Sequence, residues 1–110
     1  MADPSLPLLL VFAPDLMDRS KIAAVAPGGV TVRRPEELPE RAAPGATVVV
    51  DLSRPGVLDA LPAVAAAGAR VIGFASHVDR GVLDAARAAG CGEVLARSAF
   101  FGRLGALLGE

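Results

Sequence analysis

The run Val48-Val49-Val50-Asp51 constrains this chain more than any other stretch. Its valines do not alternate with polar residues, so the strand they form is covered on both faces. Strands of that kind belong to parallel sheets with a helical layer on each side. The run stops on a carboxylate, and Leu52-Ser53-Arg54-Pro55-Gly56 follows at once. Asp51 therefore falls at the carboxyl edge of a sheet, where open α/β folds keep their sites. The earlier run Leu8-Leu9-Leu10-Val11-Phe12 ends without a carboxylate. A lone Asp is a poor site for hard divalent cations, which take several oxygen ligands.

Apolar runs and helical stretches alternate along the whole length. Strands are predicted at residues 8–12, 30–32, 46–51, 70–74 and 93–95. A first helix spans about residues 14–26, capped by Asp15 or Asp18 and stopped by Pro27-Gly28-Gly29. A second begins at Pro35-Glu36 and is kept short by Pro39. Asp59 is placed as the cap of the third, with Pro62 in its tolerated first turn and an end near Gly68. Asp79 caps the fourth, which Gly90 ends. Ser98 caps the last, which runs to about Leu108 with Phe101, Leu104, Leu107 and Leu108 on its apolar side. This alternation gives an α/β fold with a parallel sheet between helical layers, as a single domain over residues 1–110.

Composition excludes several function classes. Hydrophobic residues make up 53% of the chain, yet no apolar run approaches the roughly 18 residues that cross a bilayer. The start, Met1-Ala2-Asp3-Pro4, lacks the basic region of a signal peptide, so a cytoplasmic location is expected. Net charge is −1 with scattered basic residues, which argues against nucleic-acid binding. The absence of Trp and Tyr removes stacking platforms for bases and for a flavin ring. One cysteine, Cys91, allows neither an internal disulfide nor a cysteine-rich zinc site. No metal and no cofactor is expected.

With five βα units and Asp51 ending the third strand, the chain resembles a two-component receiver domain of bacterial signalling. In receivers the third strand ends on the phospho-acceptor Asp, before a loop with Pro-Gly; here those are Asp51 and Pro55-Gly56. Ala88-Ala89-Gly90-Cys91 is similar to the Ala-Ala-Gly-Ala that follows the fourth helix, and Arg97-Ser98 takes the place of Lys-Pro. The resemblance implies a three-layer αβα sandwich of flavodoxin-like topology, with strand order 2-1-3-4-5. Three departures stand out. The metal-binding acidic pair is replaced by Phe12-Ala13, the Lys by Arg97, and the switch hydroxyl by Ala75, with Ser76 one place later. Phosphoryl transfer needs a metal to neutralise charge on the moving group. The chain thus resembles a degenerate receiver, or pseudo-receiver.

The candidate site is the carboxyl edge: Asp51, Ser76, His77, Arg97 and Ser98. Arg97 is expected to pair with Asp51, a guanidinium fork on a carboxylate. Ser76-His77-Val78-Asp79 invites a catalytic triad, but Ser76 lacks the flanking glycines of a nucleophile elbow. His77, the only histidine, makes no zinc site by itself. Phe100, Phe101, Leu104 and Leu108 form the candidate interface, because adjacent helical residues point about 100° apart and one core direction does not easily hold both rings. The expected function is a non-enzymatic signalling or scaffold module acting on a protein partner, with a homodimer through the last helix–strand face as the simplest case. Two alternatives are a receiver phosphorylated on Asp51, and a binder of small anions at the sheet edge through Arg97 and the Ser98 helix start.

Overall fold

The computed structural model of the chain describes residues 8–109. The Met1–Pro4 segment, read above as lacking a signal sequence, lies outside the described residues.

Five parallel strands form one sheet: β1 (Leu9–Phe12), β2 (Val30–Thr31), β3 (Thr47–Asp51), β4 (Arg70–Ala75) and β5 (Glu93–Ala96). Their order is β2-β1-β3-β4-β5, the expected flavodoxin-like arrangement. The helices are α1 (Leu16–Val25), α2 (Glu37–Arg41), α3 (Val57–Ala66), α4 (Arg80–Ala88) and α5 (Arg97–Gly102), followed by a π-helical turn at Gly105–Gly109.

The central strand shows why the valine run behaves as it does. Val48, Val49 and Val50 are all fully buried, but in two different cores. Side chains alternate across a strand, so Val48 and Val50 join Leu10, Phe12, Leu38, Val57, Leu61 and Val64 on one face. Val49 joins Val11, Ile22, Ile72, Phe74, Phe100 and Leu107 on the other. Each such side chain is worth about 1.5–3 kcal/mol of transfer free energy. The register of β1 on β3 pairs Val11 with Val49 and Phe12 with Val50, so the end of β1 stands beside Asp51.

Two glycines hold the loop after β3. Gly73 in β4 makes room for Leu52, whose side chain a Cβ at position 73 would meet at 2.6 Å. Leu52 is buried and its N–H donates to Phe74 O at 2.9 Å, which fixes the chain one residue past Asp51. Gly56 takes φ +87° where the chain turns into α3, a conformation that favours glycine.

Four local expectations change. α3 starts at Val57 after Gly56, so Asp59 lies inside its first turn and Pro62 inside the helix. A left-handed Gly56 turns the chain earlier than a side-chain cap would. Ser98 lies inside α5, which begins at Arg97 with no side-chain cap, because the strand runs straight into the helix. The last helix does not continue unbroken to Leu108: α5 ends at Gly102 and the π-helical turn follows, in a stretch with Gly102, Gly105 and Gly109. Asp79 occupies the cap position of α4, but its side chain accepts no hydrogen bond there. Asp15 does cap α1, accepting from the Asp18 N–H at 3.0 Å.

Candidate functional site

The carboxyl ends of β1, β3 and β5 meet the start of α1. The β1 end is apolar, with Phe12 and Ala13 both buried. Asp51 is only 4% exposed, and both its carboxylate oxygens are engaged by the turn that follows. Oδ1 accepts from the Ser53 N–H at 3.0 Å and the Ser53 hydroxyl at 2.7 Å. Oδ2 accepts from Arg54 Nε at 3.3 Å. The expected pairing of Asp51 with Arg97 is replaced by these local partners.

Arg97 turns instead to Asp18. Its two terminal nitrogens grip both carboxylate oxygens in a fork, one arm at 3.1 Å. Asp18 is 2% exposed, so this is a carboxylate held inside the protein by a single guanidinium. The faces of that guanidinium rest on aromatic rings, 5.4 Å from the Phe74 centroid and 5.2 Å from that of Phe101. The hydrogen bond to Asp18 raises the Arg97 pKa above its ordinary value against the opposing effect of burial, and the charges of Asp18, Asp51 and Asp15 add to the rise. Asp15 is held below the usual carboxylate range by the Asp18 N–H, with Arg97 and Arg54 contributing. Three carboxylates thus share the field of one partly exposed cation.

This geometry does not suit a divalent metal. No cluster of three acidic, His or Cys side chains with metal-binding geometry occurs among the described residues. Asp51 is tied to Ser53 and Arg54, Asp18 to Arg97, and the β1 end offers Phe12 and Ala13 where carboxylates would be needed.

The remaining predicted site residues are not joined to Asp51. Ser76 and His77 are exposed in the β4–α4 loop; the Ser76 hydroxyl accepts from the Val78 N–H at 3.4 Å. His77 faces a shallow cleft with Arg80, Leu83, Asp84 and Arg87. The Asp79 N–H donates to the Ser76 carbonyl at 2.9 Å, but no side-chain hydrogen bond links Ser76, His77 and Asp79 among the described residues, so the triad geometry is absent there. Ser98 is exposed on α5. In the expected anion site at Arg97 and Ser98, the terminal fork of Arg97 is taken by Asp18.

The candidate interface also changes. Phe100 is 0% exposed and stacks on Phe74 with centroids 4.6 Å apart and planes inclined by 12°. Leu104 is buried as well. Phe101 sits edge-on to both rings, at 5.3 and 4.8 Å, with Lys21 Nζ 5.1 Å from its centroid. One core therefore accommodates both adjacent rings, because Phe74 offers a face to one and an edge to the other. Phe101 and Leu108 remain half-buried.

Asp18 is the residue that the sequence reading placed only as a possible cap. Its signal was present: Asp18 and Ile22 are one helical turn apart and share the buried side of α1.

Neither a protein-family model nor a curated protein matches the sequence. Among solved structures, the pilus assembly protein CpaE from Caulobacter crescentus is similar at TM-score 0.59 and 15% identity, over 94% of each chain. A second pilus assembly protein, assigned as CpaE2, from Sinorhizobium meliloti is similar at TM-score 0.57 and 18% identity, over 86% of this chain and 93% of that one. At these identities the likeness is one of fold.

Proposed function

We propose that this chain is a receiver-fold interaction module that works through protein contacts and transfers no phosphoryl group. The observation that carries this reading is the double closure of the site. Asp51 has both oxygens satisfied by Ser53 and Arg54, and the nearest other buried carboxylate, Asp18, is neutralised by Arg97. A phospho-acceptor needs a free carboxylate oxygen and a cation that can follow the moving charge. Arg97 is instead a fixed part of the fold. The module is a pseudo-receiver on this reading, and not an enzyme.

The partner is a protein. Similarity to two pilus assembly proteins supplies a setting, a multi-protein assembly. The first turn of α1 offers Leu16 at 68% and Met17 at 66% exposure beside the Asp18–Arg97 pair, the kind of apolar surface that protein contacts cover. The expected self-pairing through the last helix–strand face retains Phe101 and Leu108 as its contributors, without Phe100 and Leu104.

The test is incubation with acetyl phosphate and magnesium, followed by intact mass. No phosphoryl adduct is expected. A stable gain of one phosphoryl group, lost in Asp51→Asn, would establish the alternative, a working receiver with Asp51 as acceptor.

A further inference from the structure

The carboxyl edge has a second opening, on the far side of β1 from Asp51. Between the ends of β1 and β2 lies a cavity of about 280 Å³, lined by Ala13, Pro14, Arg19, Thr31, Val32 and Arg33. Two of these residues are arginines and none is acidic. Among the described residues, neither Arg19 nor Arg33 has a carboxylate within ion-pairing distance. The Nε of Arg19 is closed off from solvent and has no acceptor; no other buried side-chain nitrogen or oxygen among the described residues is left so. Buried polar groups are nearly always partnered. Even partly exposed arginines are paired elsewhere among the described residues, with Arg97 on Asp18, Arg54 on Asp51 and Arg70 on Glu93.

We propose that the β1–β2 cleft binds a small phosphate-bearing dianion through Arg19 and Arg33. Two unpaired guanidiniums match two negative charges, and the planar guanidinium donates in a geometry suited to phosphate oxygens. Buried Ala13 and Val32 form an apolar back wall, which strengthens hydrogen bonds made against it. Thr31 completes the lining at the rim. The cavity lies at the small end of ligand sites, which run from about 300 Å³ upward. It has no aromatic wall for a base. Free phosphate and the phosphate of a small ester share this chemistry. The site stands apart from the Asp51 turn, so it does not depend on whether Asp51 is ever modified.

The experiment is an amide NMR titration of the full chain at constant ionic strength, with inorganic phosphate, methyl phosphate and succinate as separate probes. Saturable shifts are expected at Ala13, Arg19, Thr31, Val32 and Arg33, with Ser76 and His77 unmoved. Whichever of the two phosphates binds more tightly distinguishes the free ion from an ester. Arg33→Gln, at an exposed position, should keep the dispersed spectrum and weaken binding about tenfold. Arg19→Lys keeps the charge but loses the planar guanidinium fork, and should weaken binding similarly. Arg103→Gln, just past the end of α5, should leave affinity unchanged. Shifts that fail to saturate, or affinity unaffected by Arg33→Gln and Arg19→Lys alike, would overturn the site. Succinate binding as tightly as phosphate would overturn the assignment to phosphate.

Discussion

Arg97, the first residue of α5, holds Asp18 of α1 in a two-armed ion pair across 79 positions of sequence. The pair ties the first helix to the last and leaves Asp51 to its own turn. Its worth follows from unequal exposure: Asp18 is buried, while the Arg97 side chain is 43% exposed. Removing the guanidinium strands a buried carboxylate, whereas removing the carboxylate leaves a cation that water can reach.

Arg97→Gln should therefore destabilise the fold by about 1–3 kcal/mol, below the range for fully buried pairs because of that partial exposure. Asp18→Asn should cost less, and the double variant should recover part of the Arg97→Gln loss. Urea denaturation of all four forms gives the coupling directly. Additive effects would mean that the pair contributes nothing beyond its separate members.

Gly73 and Gly81 should respond to alanine in opposite directions. At Gly73 a Cβ runs into buried Leu52, so Gly73→Ala should cost about 1–3 kcal/mol. At Gly81, inside α4, nothing stands within 4 Å of a new Cβ. Gly81→Ala should stabilise by about 0.5–1 kcal/mol through helix propensity. Thermal melts of the two variants read both signs, and a stabilising Gly73→Ala would show that Leu52 repacks freely.

Cys91 should be inert in the native protein. Burial pushes its thiol up to about 11 from an ordinary value of 9.0, and the thiol donates to the Glu93 carbonyl at 3.3 Å. The folded state keeps its proton where the unfolded chain has lost it, so this contribution is intact below pH 9.0 and is lost as pH rises toward about 11. Cys91→Ala should flatten the alkaline fall in stability. Iodoacetamide labelling at mildly alkaline pH should proceed only on unfolding, and fast labelling of native protein would contradict this burial.

Protein contact should depend on the first turn of α1. Leu16→Ser with Met17→Ser should weaken any self-association seen by sedimentation equilibrium, with little effect on stability because both side chains are exposed. Phe101→Ser should weaken it only where the last helix–strand face takes part. Phe100→Ser is unsuitable as an interface probe, since it empties the core beside Phe74. A chain that stays monomeric at several hundred micromolar would leave only a different protein as partner.

The parallel sheet was legible because burial on two faces is written locally, while its strand order came from the resemblance to receivers. Val48 to Val50 read as a strand covered on both faces before any contact is known, and the alternation of strands and helices reads as a parallel sheet between helical layers. Asp51 at the carboxyl edge follows from the same logic, as does the Asp15 cap, which depends on residues three apart. Caps judged by residue type alone were less secure. Asp59 and Ser98 are suitable cap residues, but a left-handed Gly56 and an unbroken passage from β5 into α5 started those helices earlier.

What the sequence by itself determined was which faces must be dry and where the strands end, because both depend on near neighbours and a fixed period. What only the tertiary structure decided was which charge meets which. Arg97 had Asp51 and Asp18 within reach of the same edge. The choice fell to Asp18 because Ser53 and Arg54 reach Asp51 through their own short turn, while Asp18, on the inward side of α1, pairs with neither Arg19 nor Lys21 of its own helix, Lys21 lying over Phe101. The unpaired state of Arg19 is decided the same way, by which elements surround it after folding. Ion pairs between distant segments carry no period and no spacing, so they become visible only when the helices have been laid against the sheet.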